Sequence, residues 1–390
     1  MPASAELDHG LAHALLWLAG QRPAAEALLR RLVETPSFTR DAAGVARVVD
    51  LLEAELGALG LATTRHATPG FGPHLAFRGP ADGPPVVLIG HTDTVFPPGT
   101  FEGFRVSGDG DRAVGPGVFD MKGGLTVLWL GLAAARQAGL LTRVPLRGLL
   151  VSDEEVGSPA SQPLLRALAS GARAALCFES GRPGDLLVTR RKGTAALRVT
   201  AHGVAAHAGN EHEKGRNAIW ALSRFVNLAQ GLTDPARGVT VNVGTFQGGT
   251  TKNTVPDRAD CEVDLRFLTA ADGERLAADL AGAAAAAALE GTRLEVERTG
   301  WRDPLERTEA SAALAAAYGE AQALSGLGRG EAGLAGGGSD ACTTGAVGVP
   351  SIDGLGPRGH GFHTREETVE LGSLLPKAEA LVRWLAALVG

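Results

Sequence analysis

His91 and Asp93 have the residue types and the spacing of a metal site. They follow residues 86–89, a short apolar run with the pattern of a buried strand. Because positions i and i+2 of an extended chain face the same way, both side chains share one side where that strand ends. A histidine placed there can bind a metal through one nitrogen and donate from the other to a carboxylate. The alternative is that no metal is bound: His91 only ends the strand, and Asp93 forms the turn that follows it.

Acidic residues occupy further positions of the same kind. Three consecutive acids at 153–155 follow the apolar run 146–151, Glu179 follows the run 174–178, and Asp120 precedes a helical segment. Each has an ordinary alternative: a helix N-cap for Asp120 and a solvated helix start for the three acids. Together they predict that acids and a histidine converge at the carboxyl ends of neighbouring strands, where open α/β sheets place their sites.

The elements that must position these residues form two patterns. The three strand patterns just named alternate with helical ones, which predicts an α/β sheet with parallel strands. The pattern then changes to β-α-β-β-α-β, which is typical of a ferredoxin-like unit. We therefore expect a discontinuous α/β domain formed by residues 1–192 and 302–390 and an inserted α+β domain at 193–301. A last helix is expected at about 367–389.

Composition excludes several classes of protein. The 390 residues are 44% apolar and 21% charged, and the net charge of −6 argues against nucleic acid as a partner. Three scattered cysteines are too few for a disulfide scaffold or a zinc finger. The longest largely apolar segments are well below the roughly 20 residues that cross a membrane. Since the first ten residues also lack the basic start of a signal peptide, we expect a cytoplasmic protein with no membrane partner.

Ordered motifs along nearly the whole chain resemble those of the M20 family of metallopeptidases, and within it the glutamate carboxypeptidase (carboxypeptidase G2-like) branch. The motifs are GHTDTV at 90–95, GVFDMKGG at 117–124, SDEEVGS at 152–158, CFES at 177–180, AHAG at 206–209, GGGSDA at 336–341 and GFHTREE at 361–367. The resemblance implies a zinc-exopeptidase-like α/β catalytic domain with an inserted ferredoxin-like α+β dimerisation or lid domain. It also implies a homodimer formed through the inserted domain.

The resemblance further implies two divalent metal ions per chain. His91 and Glu179 would bind one ion, Glu155 and His363 would bind the other, and Asp120 would bridge them. Imidazole suits zinc, and a bridging carboxylate holds two cations close together. Zn²⁺ is therefore expected, with Co²⁺ or Mn²⁺ as alternatives.

Catalytic roles are implied for Glu154, Asp93 and His207. Glu154 would be the general base that takes a proton from water and passes one to the leaving amine. His207 would stabilise the oxyanion in the active site of the neighbouring subunit, and Asp93 would support His91. From the residues alone, the alternatives are a surface acid for Glu154 and, as is more common for a histidine in a loop, a solvated side chain for His207.

Four residues are implied to bind the substrate. Asn253 and Arg266 would hold its C-terminal carboxylate, the arginine through paired hydrogen bonds, and Gly337 and Gly338 would let it approach the backbone closely. Two alternatives stay open. Arg266 could instead form an ion pair with Asp264 or Glu262, of which Asp264 is its neighbour on the same face of a strand, and the glycine-rich loop could be a flexible turn.

The predicted function is that of a dizinc metallohydrolase. It would cleave a C-terminal amino acid, glutamate-like or other, from short peptides or N-acyl amino acids by metal-activated water. An N-acyl amino acid deacylase of the acetylornithine or succinyl-diaminopimelate type is the nearest alternative, because such enzymes share the metal motifs. A non-catalytic M20-like binding protein is the alternative from another class, but the loss of a base or ligand residue that would mark it is not seen.

Overall fold

A computed structural model describes residues 2–389, which form helices and strands. The helices are α1 (Pro2–Ala19), α2 (Arg22–Val33), α3 (Ala42–Ala58), α4 (Lys122–Gln137), α5 (Gln162–Ala169), α6 (Ala218–Gln230), α7 (Ala270–Ala287), α8 (Glu309–Leu324), α9 (Asp340–Ala346) and α10 (Leu374–Ala387). The strands are β1 (Ala62–His66), β2 (His74–Arg78), β3 (Val86–His91), β4 (Arg105–Val106), β5 (Arg112–Val114), β6 (Leu146–Val151), β7 (Ala174–Cys177), β8 (Gly193–His202), β9 (Ala206–His207), β10 (Thr240–Gly248), β11 (Thr254–Val255), β12 (Arg258–Phe267), β13 (Arg293–Arg302), β14 (Ser351–Ile352), β15 (Gly359–His360) and β16 (Thr368–Glu370).

The chain divides into two compact units. The larger unit comprises residues 2–190, 307–335 and 339–389, and the smaller unit comprises residues 191–306 and 336–338. In the part of the chain that is described, no helix combines the length and the apolar character needed to cross a membrane.

A six-stranded sheet forms the centre of the larger unit, in the order β1-β2-β6-β3-β7-β14. Strands β6, β3, β7 and β14 run parallel, while β1 and β2 are antiparallel at one side. Every residue of β3 and β7 is buried, because a parallel sheet is covered on both faces and its strands are apolar throughout. The parallel α/β sheet expected from the sequence is confirmed.

Helix α4 is the main helix packed on this sheet. Nearly all of its residues are buried, as expected for a helix that is apolar around its whole circumference. It packs against α10 and α1, and Gly131 permits close contact with Leu381 of α10. Helix α4 begins two residues after Asp120, so this packing holds the end of the segment that carries Asp120.

A second, four-stranded sheet of the larger unit brings two distant loops together. Its order is β15-β16-β5-β4, and β16 pairs with both β15 and β5. The loop after β5 carries Asp120, and the loop between β15 and β16 carries His363. The expectation of a helix from residue 367 was wrong, because Thr368–Glu370 pairs as a strand and α10 begins only at Leu374.

The smaller unit is a ferredoxin-like α+β fold. Its antiparallel sheet has the order β10-β12-β8-β13, so the first and third of its long strands lie in the middle. Helices α6 and α7 bury their apolar faces on the sheet, around Leu222, Phe225 and Leu280. The predicted fold class, an α/β unit with an inserted ferredoxin-like unit, is confirmed.

Candidate metal centre

Three neighbouring strands end at the candidate site. Strands β6, β3 and β7 are adjacent and parallel, so their carboxyl ends meet at one edge of the sheet. Strand β3 ends in His91, β6 leads into Glu154 and Glu155, and β7 leads into Glu179. The sheet therefore brings together the acids and the histidine that the sequence pattern predicts at this edge.

His91, Asp120 and Glu179 form the first group. The Nε2 atom of His91 lies 3.2 Å from Asp120 Oδ1 and 3.8 Å from Glu179 Oε1. His91 and Glu179 are buried. One ligand atom from each of the three residues lies within 4.8 Å of the others, which is a spacing that a single cation can span.

Asp120, Glu155 and His363 form the second group, with the same spacing limit of 4.8 Å. The Nε2 atom of His363 lies 3.1 Å from Glu155 Oε2 and 3.4 Å from Asp120 Oδ2. Asp120 thus offers Oδ1 to the first group and Oδ2 to the second. His363 has a φ of 63°, a left-handed conformation that is uncommon outside glycine, and its side chain is about half exposed.

Burial and mutual charge shift the pKa values of these side chains. Burial raises the pKa of Glu155 to about 7, and burial together with the charge of Asp120 holds the pKa of Glu179 well above its usual range. Hydrogen bonds to Asp120 and Glu155 raise the pKa of His363 to about 10. Carboxylates crowded in a buried place favour a positive charge between them.

An unpartnered atom supports the same conclusion. Glu155 Oε1 is buried and makes no hydrogen bond, and a buried carboxylate oxygen without a partner is costly. Histidine nitrogen and carboxylate oxygen together form the donor set of zinc and similar divalent ions. The residues present fit a divalent metal cofactor.

Asp93 connects the two sides of this centre. Its Oδ1 accepts from the backbone N–H of Glu154 at 3.3 Å, and its Oδ2 accepts from that of Glu155 at 3.2 Å and from the Thr39 hydroxyl at 2.8 Å. His91 Nδ1 lies 3.5 Å from Asp93 Oδ1 but only 3.0 Å from the Asp93 backbone oxygen. Asp93 therefore orients His91 mainly through its carbonyl and holds the turn at 154–156 through its carboxylate.

Glu154 lies beside the two groups but belongs to neither. It begins a single 3-10 turn, Glu154–Val156, and is half-buried. Burial is the main cause of the raised pKa of Glu155, and the charge of Glu154 contributes to it. A carboxylate next to a metal site that is not itself one of the ligating groups is available for proton transfer.

The other predicted residues lie in the smaller unit. His207 ends β9, which pairs with β11, and the Asn253 carbonyl accepts from Ala208 N at 3.0 Å. The exposed ring of His207 accepts at Nδ1 from the backbone N–H groups of Gly209 and Asn210, at 3.2 and 3.0 Å. Because Nδ1 accepts, the proton of the neutral ring is on Nε2.

Arg266 forms an ion pair with Asp264, which was one of the alternatives considered from the sequence. Its Nε and Nη2 atoms donate to Asp264 at 2.8 and 2.9 Å. The carbonyls of Gly337 and Gly338 accept from Arg191 Nη1 at 3.1 and 3.3 Å. A Cβ on Gly338 would lie 2.4 Å from the Arg302 side chain, whereas one on Gly337 would meet nothing within 4 Å.

Sequence reasoning missed Glu367 at this site. It is fully buried, and its carboxylate accepts three backbone N–H groups from the loop that carries Asp120. Its place in the charged run Arg365-Glu366-Glu367 is typical of a surface acid. Only the regular strand that follows it, Thr368–Glu370, could have indicated that it turns inward.

Comparison with known proteins finds similar peptidases and a similar desuccinylase. A family model described as a peptidase dimerisation domain matches residues 189–292. Carboxypeptidase G2 of Pseudomonas sp. (strain RS-16) is 30% identical, over 91% of this chain and 86% of its own. Succinyl-diaminopimelate desuccinylase of Paracoccus denitrificans is 30% identical, over 67% of this chain and 72% of its own. Among solved structures, an M20 family metallo-carboxypeptidase from Sulfolobus solfataricus has the same fold, with a TM-score of 0.75, 17% identity and coverage of 93% and 98%.

Proposed function

The chain belongs to the M20 family of metallopeptidases, and we propose that it is a dinuclear metal hydrolase that removes a C-terminal amino acid from short peptides or N-acyl amino acids. The observation that carries this proposal is the position of Asp120. Its two carboxylate oxygens face two separate groups of ligand-type side chains. A carboxylate shared in this way is what a pair of neighbouring cations requires.

In this proposal five side chains hold the ions. His91 and Glu179 bind one ion, Glu155 and His363 bind the other, and Asp120 bridges them. Zn²⁺ is the expected metal, with Co²⁺ or Mn²⁺ as alternatives, because imidazole and carboxylate ligands suit all three. When bound, such ions polarise a carbonyl oxygen and lower the pKa of water.

The remaining chemistry is carried by the side chains of the protein. Glu154 takes the proton of the attacking water as the water oxygen bonds to the amide carbonyl carbon. Glu154 then gives a proton to the leaving nitrogen as the C–N bond breaks, so one carboxylate serves both steps. The half-buried position of Glu154 beside the ligand groups supports this role.

His207 is proposed to stabilise the oxyanion from the neighbouring subunit. Its Nδ1 atom is engaged by two backbone N–H groups, so Nε2 presents an N–H, as an oxyanion donor must. The match of residues 189–292 to a peptidase dimerisation domain supports a homodimer formed through the smaller unit. The cytoplasmic location stays a prediction.

Asn253 and Arg266 are proposed to hold the substrate carboxylate, and Gly337 and Gly338 to line its approach. Asp264 already engages Nε and Nη2 of Arg266. The Nη1 edge of the guanidinium is therefore the part that would receive the substrate, with Asp264 fixing the plane of the group.

A deacylase is the second candidate, because a desuccinylase is also 30% identical, over 67% of this chain compared with 91% for the carboxypeptidase. Metal-loaded protein would be assayed against dipeptides with varied C-terminal residues, N-acyl glutamates, N-acetylornithine and N-succinyl-diaminopimelate. We expect turnover of dipeptides or N-acyl glutamates that is abolished by a chelator and restored by Zn²⁺. Turnover of the last two substrates alone would favour the deacylase, and no turnover of either set would contradict both candidates.

A further inference from the structure

Glu367 ties together the two loops that supply ligands to both groups of the metal centre. It lies four residues after His363 and immediately before β16. Its side chain is completely buried. Its Oε1 atom accepts from Phe119 N at 2.9 Å and from Asp120 N at 2.8 Å, and its Oε2 atom accepts from Gly117 N at 2.9 Å.

The segment that receives these bonds lies between β5 and α4 and has no regular secondary structure. Its backbone N–H groups therefore have no ladder to satisfy them, and a buried N–H without a partner is costly. Glu367 satisfies three of them and so fixes the backbone of Asp120 itself. Because the two oxygens of Asp120 face different ligand groups, a small rotation of its backbone disturbs both groups at once.

On these contacts we propose that Glu367 is a positioning residue that holds Asp120 and the His363 loop in the geometry that binds two metal ions. The proposal rests on the proposed function of the site. Glu367 reaches Asp120 through its backbone N–H and is in neither ligand group. Partners behind metal ligands commonly change metal affinity by about 10- to 100-fold when they are replaced.

The requirement for a carboxylate here is specific. Three N–H donors converge on two oxygens, so both ends of the side chain must accept. In Glu367→Gln one end becomes an NH₂ donor, which opposes one or two of the backbone donors. In Glu367→Asp both acceptors remain, but the carboxylate is one methylene farther from the loop.

The test compares Glu367→Gln and Glu367→Asp with the matched control Glu366→Gln, since Glu366 is exposed. Zn²⁺ affinity would be measured by competition with a chromophoric chelator, and metal content by mass spectrometry. Melting temperatures would be recorded with and without Zn²⁺, together with kcat and KM. We expect Zn²⁺ affinity to fall about 10- to 100-fold in Glu367→Gln and less in Glu367→Asp, with the control unchanged. With excess Zn²⁺, kcat should fall more than KM rises.

The outcomes separate this proposal from the proposed function. Wild-type protein that binds no divalent metal would contradict the proposed function. Wild-type protein with two ions, and Glu367→Gln with the same affinity, would contradict only the positioning role. A lower melting temperature of the metal-free variant with unchanged Zn²⁺ affinity would assign Glu367 a purely structural role and also overturn the proposal. If Glu367→Gln does not fold, Glu367→Asp decides by the same criteria.

Discussion

Asp93 shows how one residue serves several parts of the candidate site. It is buried, its carbonyl faces His91, and its carboxylate accepts the backbone N–H groups of Glu154 and Glu155. A proposed ligand of each group, together with the proposed base, therefore depends on the side chain and backbone of Asp93. Both carboxylate oxygens are engaged, so neither is spare.

We predict that Asp93→Asn weakens both metal binding and turnover. The new amide NH₂ would oppose the N–H of Glu154 or Glu155 and displace the turn that carries them. We expect Zn²⁺ affinity and kcat each to fall by about 10- to 100-fold, as measured by chelator competition and steady-state kinetics. The control is Asp82→Asn at an exposed position. Asp93→Asn with wild-type affinity and kcat would show that the carboxylate has no such role.

At the scale of the elements, the first turn of α4 packs closely against the end of β7, and this contact limits the distance between the proposed ligands Asp120 and Glu179. A Cβ on Gly124 would lie 1.9 Å from the carbonyl oxygen of Phe178. Phe178 directly precedes Glu179, and Asp120 lies just before α4. Close contact between α4 and the end of β7 therefore sets the separation between two proposed ligands.

Gly124→Ala should separate α4 from the end of β7. Overpacking of this kind costs about 1–3 kcal/mol of the free energy of unfolding, and we expect Zn²⁺ affinity to fall with it. The matched control is Gly57→Ala in α3, where an added Cβ would meet nothing within 4 Å. That change should raise the free energy of unfolding by about 0.5–1 kcal/mol and leave metal binding unchanged. Denaturant unfolding of the metal-free proteins measures the free energy of unfolding of both variants, and chelator competition measures their Zn²⁺ affinity. Equal effects of the two substitutions would refute the packing argument.

Elements with a strong local pattern could be predicted from the sequence. Leu146–Val151 was predicted with its observed bounds, because a short apolar run in a parallel sheet carries its own signal. Residues 368–370 were mistaken for helix because their strand exists through pairing with residues 112–114, which are distant in sequence. Glu367 was missed for the same reason, since its partners lie about 250 residues earlier in the chain.

At the scale of the whole molecule, the active site is proposed to combine residues of two chains. The proposed base Glu154 lies in the larger unit and the proposed oxyanion donor His207 in the smaller one. If each site combines the two residues from different subunits, a variant that lacks one residue can be complemented by a variant that lacks the other. A closed two-fold dimer contains two such sites.

We predict that mixing His207→Ala with Glu154→Gln restores activity that neither variant has alone. After unfolding and refolding of an equimolar mixture, about half of the dimers are mixed and each contains one intact site. About a quarter of wild-type activity is expected, and analytical ultracentrifugation would establish the dimer. Refolded mixtures that form dimers but stay inactive would contradict the shared site.

The most direct test of the account is the metal content and turnover of Glu154→Gln. The substitution removes the proposed base, while Glu154 is in neither of the two candidate ligand groups, so we expect two divalent ions per chain, as in the wild type. Turnover of the best substrate should fall by about 10²- to 10⁴-fold. Turnover equal to that of the wild type, with both ions bound, would contradict the account.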